Sequence, residues 1–342
     1  MKKKPSNLSR LLGYAEGHRF LLYASWVLSA GSALLALVPF WYIWKILEEV
    51  LAVAPHFAQA QHLVEYGWLA VGSSVLAVLV YIAGLMCSHM GAFRVATNLR
   101  IQAMEHIVTL PLGLAEAFGS GKLRKIVNES SGATETYLAH QLPDRAGAIA
   151  TPCGLLVLLF VFDWRLGLLA IAGILAYLGV TELSQRAMLK TGPARQHAQM
   201  NLVEAVLEYI QGMSVVKSYG LDKDSGQAVQ RTVDESCDKA LSLEKSVVPW
   251  MGLRQVVVRV FSVAIAVCAL AFYSGGTLSL ARCLLMLVAS FMLYAELESA
   301  GNMADNLQML GASMDKANSI DDTPVMDIDG AELTPADTSV EF

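Results

Sequence analysis

Residues 154–180 read GLLVLLFVFDWRLGLLAIAGILAYLGV, two apolar stretches separated by Asp163-Trp164-Arg165. Extended outward to 146 and 181, each side approaches the roughly 20 residues that a helix needs to cross a hydrocarbon core of about 30 Å. Both charges fall at the junction, where a tight turn at a membrane face keeps them in water. The stretch therefore predicts two antiparallel membrane helices, over 146–162 and 166–181. Four further apolar runs of similar size occur, at 20–44, 66–88, 247–273 and 277–295, which brings the expected spans to six. A composition that is 55% apolar and only 16% charged excludes an ordinary soluble domain. The fold class expected is an all-α membrane protein.

The distribution of Lys and Arg predicts orientation. Lys2, Lys3, Lys4, Arg10 and Arg19 precede or open the first span, and Arg94, Arg100, Lys122, Arg124, Lys125 and Arg145 lie between the second and third. Eight more fall within 182–245, whereas 48–65 has none. Both termini and the two long connections are expected in the cytoplasm, and the chain in the plasma or inner membrane. Residues 1–18 lack the apolar core and small-residue cleavage site of a signal peptide, so the first span is expected to remain as an anchor. Cys87, Cys153, Cys237, Cys268 and Cys283 show no paired spacing and read as small packing residues, with no disulfide or metal site implied.

Loop lengths are strongly asymmetric. On the expected outer side, 163–165 and 274–276 are mere turns, while the two inner connections exceed fifty residues each. These inner segments keep a helical pattern: Val95, Leu99, Ile101, Met104, Ile107 and Leu110 in the first, Leu202, Val206, Ile210 and Met213 in the second. Helices of roughly 20 extra residues project about 30 Å beyond the bilayer. Pro111 and Gly119-Ser120-Gly121 break the first excursion around the short apolar piece Leu112, Gly113, Leu114, Ala115, Glu116, Ala117, Phe118. Gly220 and Gly226 bracket a similar cross-piece, Leu221, Asp222, Lys223, Asp224, in the second.

At these residues the chain resembles the exporter-fold family of ATP-binding cassette transporters. Leu99-Arg100 through Leu110-Pro111-Leu112, then Phe118, Gly121-Lys122-Leu123 and Asn128-Glu129-Ser130, looks like that family's first intracellular loop. EAVLEYIQGMSVVKSYG, residues 204–220, is similar to its second. Residues 137–144, YLAHQLPD, with the Leu-Pro-Leu at 110–112, look most like the subgroup of heterodimeric siderophore importers built on this fold. The resemblance implies that the two cross-pieces are coupling helices resting on nucleotide-binding domains. It also implies a dimer with a second half-transporter, homo- or heterodimeric, and alternating access driven by ATP with Mg²⁺.

The resemblance divides the chain into a cytoplasmic N-terminal segment with an interfacial helix (1–19), the six-helix domain (20–318), and a linker leading into a truncated nucleotide-binding domain (319–342), whose opening strand Val340-Glu341-Phe342 resembles. No G-x-x-x-x-G-K-[ST] motif occurs: before Gly121-Lys122, Glu116 stands where the leading Gly belongs and Leu123 where the hydroxyl belongs. No catalytic residue and no bound ATP are expected within these residues. Hydrolysis is expected of the full-length protein, with ATP and Mg²⁺ in its nucleotide-binding domain.

Three charged residues are candidates for a substrate cavity. Arg254 and Arg259 lie in the fifth span, where a cation is costly unless it faces water, a partner or the bundle interior. Either one or both line a cavity and attract an anionic substrate such as a carboxylate-bearing siderophore, or Arg254 snorkels to the cytoplasmic interface and Arg259 pairs within the bundle. Five residues apart, they point about 140° from one another and do not readily share one site. Glu296, with Glu298, reads as their counter-charge, as a gating group or as a solvated interfacial pair. Trp41, Trp44 and Trp68 read as an interfacial belt.

Siderophore import and export of lipid, drug or peptide both suit this reading. A secondary transporter would show internal repeats and broken half-helices, which are not visible. A non-transporting scaffold would use the inward hairpins for docking alone. The partners expected are the second half-transporter, the nucleotide-binding domains and the lipid bilayer, with no nucleic acid.

Overall fold

The computed structural model describes residues 7–113, 124, 126–220, 222–321 and 325–326. Within them the elements are α1 (Asn7–Tyr14), α2 (Arg19–Leu35), α3 (Val38–Val53), α4 (Leu63–Val108), α5 (Ser131–Thr136), α6 (Leu142–Phe162), α7 (Trp164–Tyr219), α8 (Asp222–Ser274) and α9 (Leu280–Asp321). Two π-helical turns, Ile126–Ser130 and Tyr137–Gln141, flank α5. Among the described residues, six helical stretches are long and apolar enough to cross a membrane: Glu16–Val53, Leu63–Val108, Val127–Phe162, Trp164–Tyr219, Gly226–Ser274 and Leu280–Gly301. The chain is an all-α, multi-pass membrane protein.

The junction in the deciding stretch is tighter than expected. Asp163 alone separates α6 from α7 in an extended conformation, and its side chain accepts a hydrogen bond of 2.8 Å from the Arg165 N–H. That contact satisfies one of the orphan donors at the start of α7. The span predicted at 20–44 is two helices: α2 stops at Leu35 and α3 restarts at Val38. Pro39, which has no N–H to donate, stands at the second position of α3, where none is needed.

The long inner helices are present. Helices α4, α7 and α8 hold 46, 56 and 53 residues, so α7 and α8 are each about 80 Å long, more than twice a hydrocarbon core. They pack along one another. Helix α7 ends at Gly220, whose φ of +66° is the left-handed cap that favours glycine, with its N–H returned to the Val216 carbonyl. The second expected break does not occur. Gly226 continues α8, so residues 222–224 form the first turn of that long helix and not a separate cross-piece. A lone glycine costs a helix only about 1 kcal/mol, less than the surrounding turns recover.

The chain forms two compact units: Met1–Tyr42, Glu65–Thr151 and Asn302–Phe342 in one, Ile43–Val64 and Pro152–Gly301 in the other. In the first, α1 is tied down. Leu11 and Ala15 are buried with Leu22, Ala92, Val95, Leu138 and Ala139. Asn98 donates to the Tyr14 carbonyl at 2.8 Å and Arg19 Nε to that of Leu12 at 2.6 Å. A helix is therefore present where an interfacial one is expected, with one face packed on protein. Ser88 Oγ, buried on α4, donates to the Ala139 carbonyl at 2.7 Å, across to the π-helical turn.

The second unit is closed by two tyrosines that approach glycines on a neighbouring helix. Tyr294 of α9 donates to the Ala170 carbonyl of α7 at 3.3 Å, and Tyr177 of α7 donates to the Leu297 carbonyl of α9 at 2.9 Å. A methyl group on Gly173 would collide with the Tyr294 hydroxyl and lie 2.7 Å from the Phe261 ring; one on Gly301 would collide with the Tyr177 hydroxyl. In lipid, helices gain little from hiding apolar surface from one another, so close packing at small residues and hydrogen bonds to backbone carbonyls hold them together.

Gly173→Ala is expected to cost about 1–3 kcal/mol through overpacking, seen as a lower thermal midpoint in detergent. Adding Tyr294→Phe is expected to restore part of that loss; equal losses in the single and double variants would show that the hydroxyl is not the obstacle.

Candidate functional site

The charged residues singled out in the fifth span sit on opposite sides of α8. Arg254 is 4% exposed, with its Nη1 some 3.5 Å from the position a β-carbon on Gly301 would take, beside the Tyr177 hydroxyl. Arg259 is exposed, as are its apolar neighbours Val256, Val260 and Val263. The angular separation expected from helical geometry is present, with the two expected structural roles exchanged: Arg254, expected to snorkel, belongs to the α7–α8–α9 packing, and Arg259, expected to pair inside the bundle, projects from the unit within an apolar surface. A guanidinium in that position is favourable only where water, an anion or protein meets it.

Glu296 and Glu298 are both half-buried on α9. Gln255, the neighbour of Arg254, donates its Nε2 to Glu298 Oε1. Glu298 thus has an amide partner between α8 and α9 that the sequence pattern did not indicate. Arg254, Gln255, Glu298, Tyr177 and Gly301 come together; Arg259 stands apart from them. Reading by charge passes over Gln255, Tyr177 and Tyr294. A polar or amphipathic side chain inside an apolar run was the available signal, since each of these finds a hydrogen-bond acceptor on a facing helix.

The tryptophans divide similarly. Trp68 and Trp41 are exposed, as an interfacial belt requires, but Trp44 is buried, edge-on to Phe162 with ring centres 4.9 Å apart. Lys45 Nζ lies 4.4 Å from the Trp44 ring centre and pairs with Glu48 at 3.0 Å. Glu49, on α3, accepts hydrogen bonds from the backbone N–H groups of Gln61 (2.6 Å) and His62 (3.1 Å) in the adjoining loop.

At the far end of α4, the chain leaves the helix through Thr109 and Leu110, whose N–H groups return to His106 and Ile107. Leu110 is buried and Leu112 is 75% exposed, so the segment 112–118 begins immediately after a buried residue. Gly113 is described with it, while Leu114, Ala115, Glu116, Ala117 and Phe118 lie outside the described residues. Past α9, Met326 donates its N–H to the Thr109 carbonyl at 2.9 Å, which brings residue 326 against the end of α4. In the second excursion Asp222, Lys223 and Asp224 open α8, and Leu221 lies outside the described residues.

Residues 22–297 match the ABC transporter transmembrane region. The chain belongs to that family. Three relatives extend the match to this ABC transmembrane domain. It is 31% identical over 218 residues to the mycobactin import ATP-binding/permease protein IrtA of Mycobacterium tuberculosis, covering 63% of this chain and 24% of that protein. The protein of the same name from Mycolicibacterium smegmatis is 28% identical over 215 residues, again 63% of this chain and 24% of the relative. That from Mycolicibacterium thermoresistibile is 27% identical over 239 residues, 70% of this chain and 26% of the relative. The ABC domain thus spans about a quarter of the length of the curated relatives it matches.

Gln255→Leu is expected to destabilise this ABC domain by about 1–3 kcal/mol, because the half-buried Glu298 loses its donor. Joining it with Glu298→Leu is expected to recover much of the loss, and Arg259→Gln to change stability by no more than about 0.5 kcal/mol. Urea or thermal unfolding of the four proteins in one detergent measures all of these.

Proposed function

We propose that this chain lines one side of the substrate path of an ATP-driven siderophore importer, paired with a second six-helix domain. The observation that carries the reading is Arg259, an exposed cation midway along an otherwise apolar face of a membrane span. Facing a shared aqueous path, it meets an anionic iron chelate without being stranded in lipid. Mycobactin import, the activity named for the relatives, supports the choice of substrate class and of direction.

In this reading both termini and the α4 and α7–α8 extensions face the cytoplasm, in keeping with their Lys and Arg content. Leu112 to Phe118 and Leu221 to Asp224 are the contacts for nucleotide-binding domains, which supply the ATP and Mg²⁺ chemistry. This chain supplies rigid transmission: helices that run unbroken from the bilayer to those contacts carry displacement between them. Arg254 and Glu298 act as packing groups that keep α7, α8 and α9 together, and Glu296 borders the path.

The test is ATP-dependent uptake by proteoliposomes containing the complete transporter and its partner, offered a panel of ferric siderophores of differing charge. Uptake of an anionic chelate is expected, falling about tenfold in Arg259→Gln, which corresponds to about 1.4 kcal/mol of lost interaction. Wild-type uptake by that variant would remove Arg259 from the path. ATP-driven movement only in the opposite direction would make the protein an exporter.

A further inference from the structure

His89 and His140 are far apart in sequence, yet their rings meet in the first unit with centres 4.8 Å apart and planes at 82°. His89 is on α4, just past the end of the apolar run 66–88, and His140 is in the π-helical turn Tyr137–Gln141, just before the apolar run 146–162. Both therefore stand at the end of an apolar run, with His89 half-buried and His140 exposed on the surface of the unit. The adjoining pair, Ser88 and Ala139, is hydrogen bonded across the same two elements at 2.7 Å, which fixes the register that brings the rings together.

The separation has a chemical meaning. Two imidazoles sharing one tetrahedral or square-planar ion, with metal–nitrogen bonds of about 2.0–2.1 Å, have ring centres roughly 4.5 to 5.2 Å apart. The observed separation of the ring centres lies in that interval. Imidazole favours Zn²⁺, Cu²⁺ and Ni²⁺ over harder ions. Asp144 follows one turn beyond His140 in the sequence. Among the described residues no group of three or more His, Cys, Asp and Glu forms a fuller cage, so water would complete the coordination.

We propose that His89 and His140 form a seat for one divalent transition-metal ion that bridges α4 to the segment entering α6. These are the two arms on either side of the first coupling segment, so an ion held by both would pin that hairpin. The pinning rests on the coupling role proposed above; the binding does not. It is a different matter from the substrate path at Arg259, which lies in the other unit.

The experiment titrates the purified, chelator-treated chain in detergent with Zn²⁺ in competition with a fluorescent zinc indicator. Wild type is compared with His89→Gln, His140→Gln, the double variant, and His197→Gln as a control for an exposed histidine elsewhere. Wild type is expected to bind one more ion per chain than the double variant, each single variant to bind it at least about tenfold more weakly, and the control to match wild type. Zn²⁺ is also expected to raise the thermal midpoint of wild type and not that of His140→Gln. Should the double variant fold poorly, His140→Gln decides, since an exposed position tolerates it. Equal binding by wild type and His140→Gln, or an equal loss in the control, would overturn the proposal.

Discussion

Inside a bilayer there is no water to pair with a peptide group, and this governs most of what the chain does. Each N–H and C=O must find its partner within the protein, so every crossing is a helix. Side chains with polar atoms obey the same rule: Ser25 and Ser32 donate to carbonyls one turn back, Thr181 to that of Tyr177, and Ser290 to that of Leu287. Where a hydroxyl reaches a different element, as with Ser88, Tyr177 and Tyr294, it becomes a bond between helices.

Because water outside the membrane does not dissolve a well-formed helix, nothing ends a span at the lipid boundary unless the sequence supplies a stop. Gly220 and Asp163 are such stops; Gly226, Pro193 and Pro249 are not. The result is a small set of rods, each apolar over one part and charged over another. Each of the two units has its own closure. A short amphipathic helix seals the first against Ala92 and Val95, while tyrosines fitted against glycines seal the second.

Much of this was legible from residues 154–180 and their counterparts, because a run of apolar residues of bilayer length has few alternatives. The inner helices were legible for a related reason, since their apolar residues keep helical spacing after charges appear. What escaped were features set by neighbours and not by pattern. The break between α2 and α3, the burial of Trp44, and the division of Arg254 from Arg259 into packed and exposed roles depend on what lies opposite each residue. The meeting of His89 with His140 depends on register between two distant segments, which single-chain periodicity does not carry. Gly226 does not end a helix, because the continuity of α8 on both sides of it outweighs the cost of one glycine.

The one-residue joint at Asp163 has a mechanical side. Helix α7 starts there and runs about 80 Å to Gly220, so the joint is the fulcrum of a long lever arm. A tilt of about 5° at that pivot displaces the opposite tip by about 7 Å, more than a helical turn. Pro193 stands part-way along the shaft, and the helix continues through it without a break to Tyr219. A tilt too slight to disturb lipid packing around the pivot would thereby move the other end by more than the rise of a helical turn.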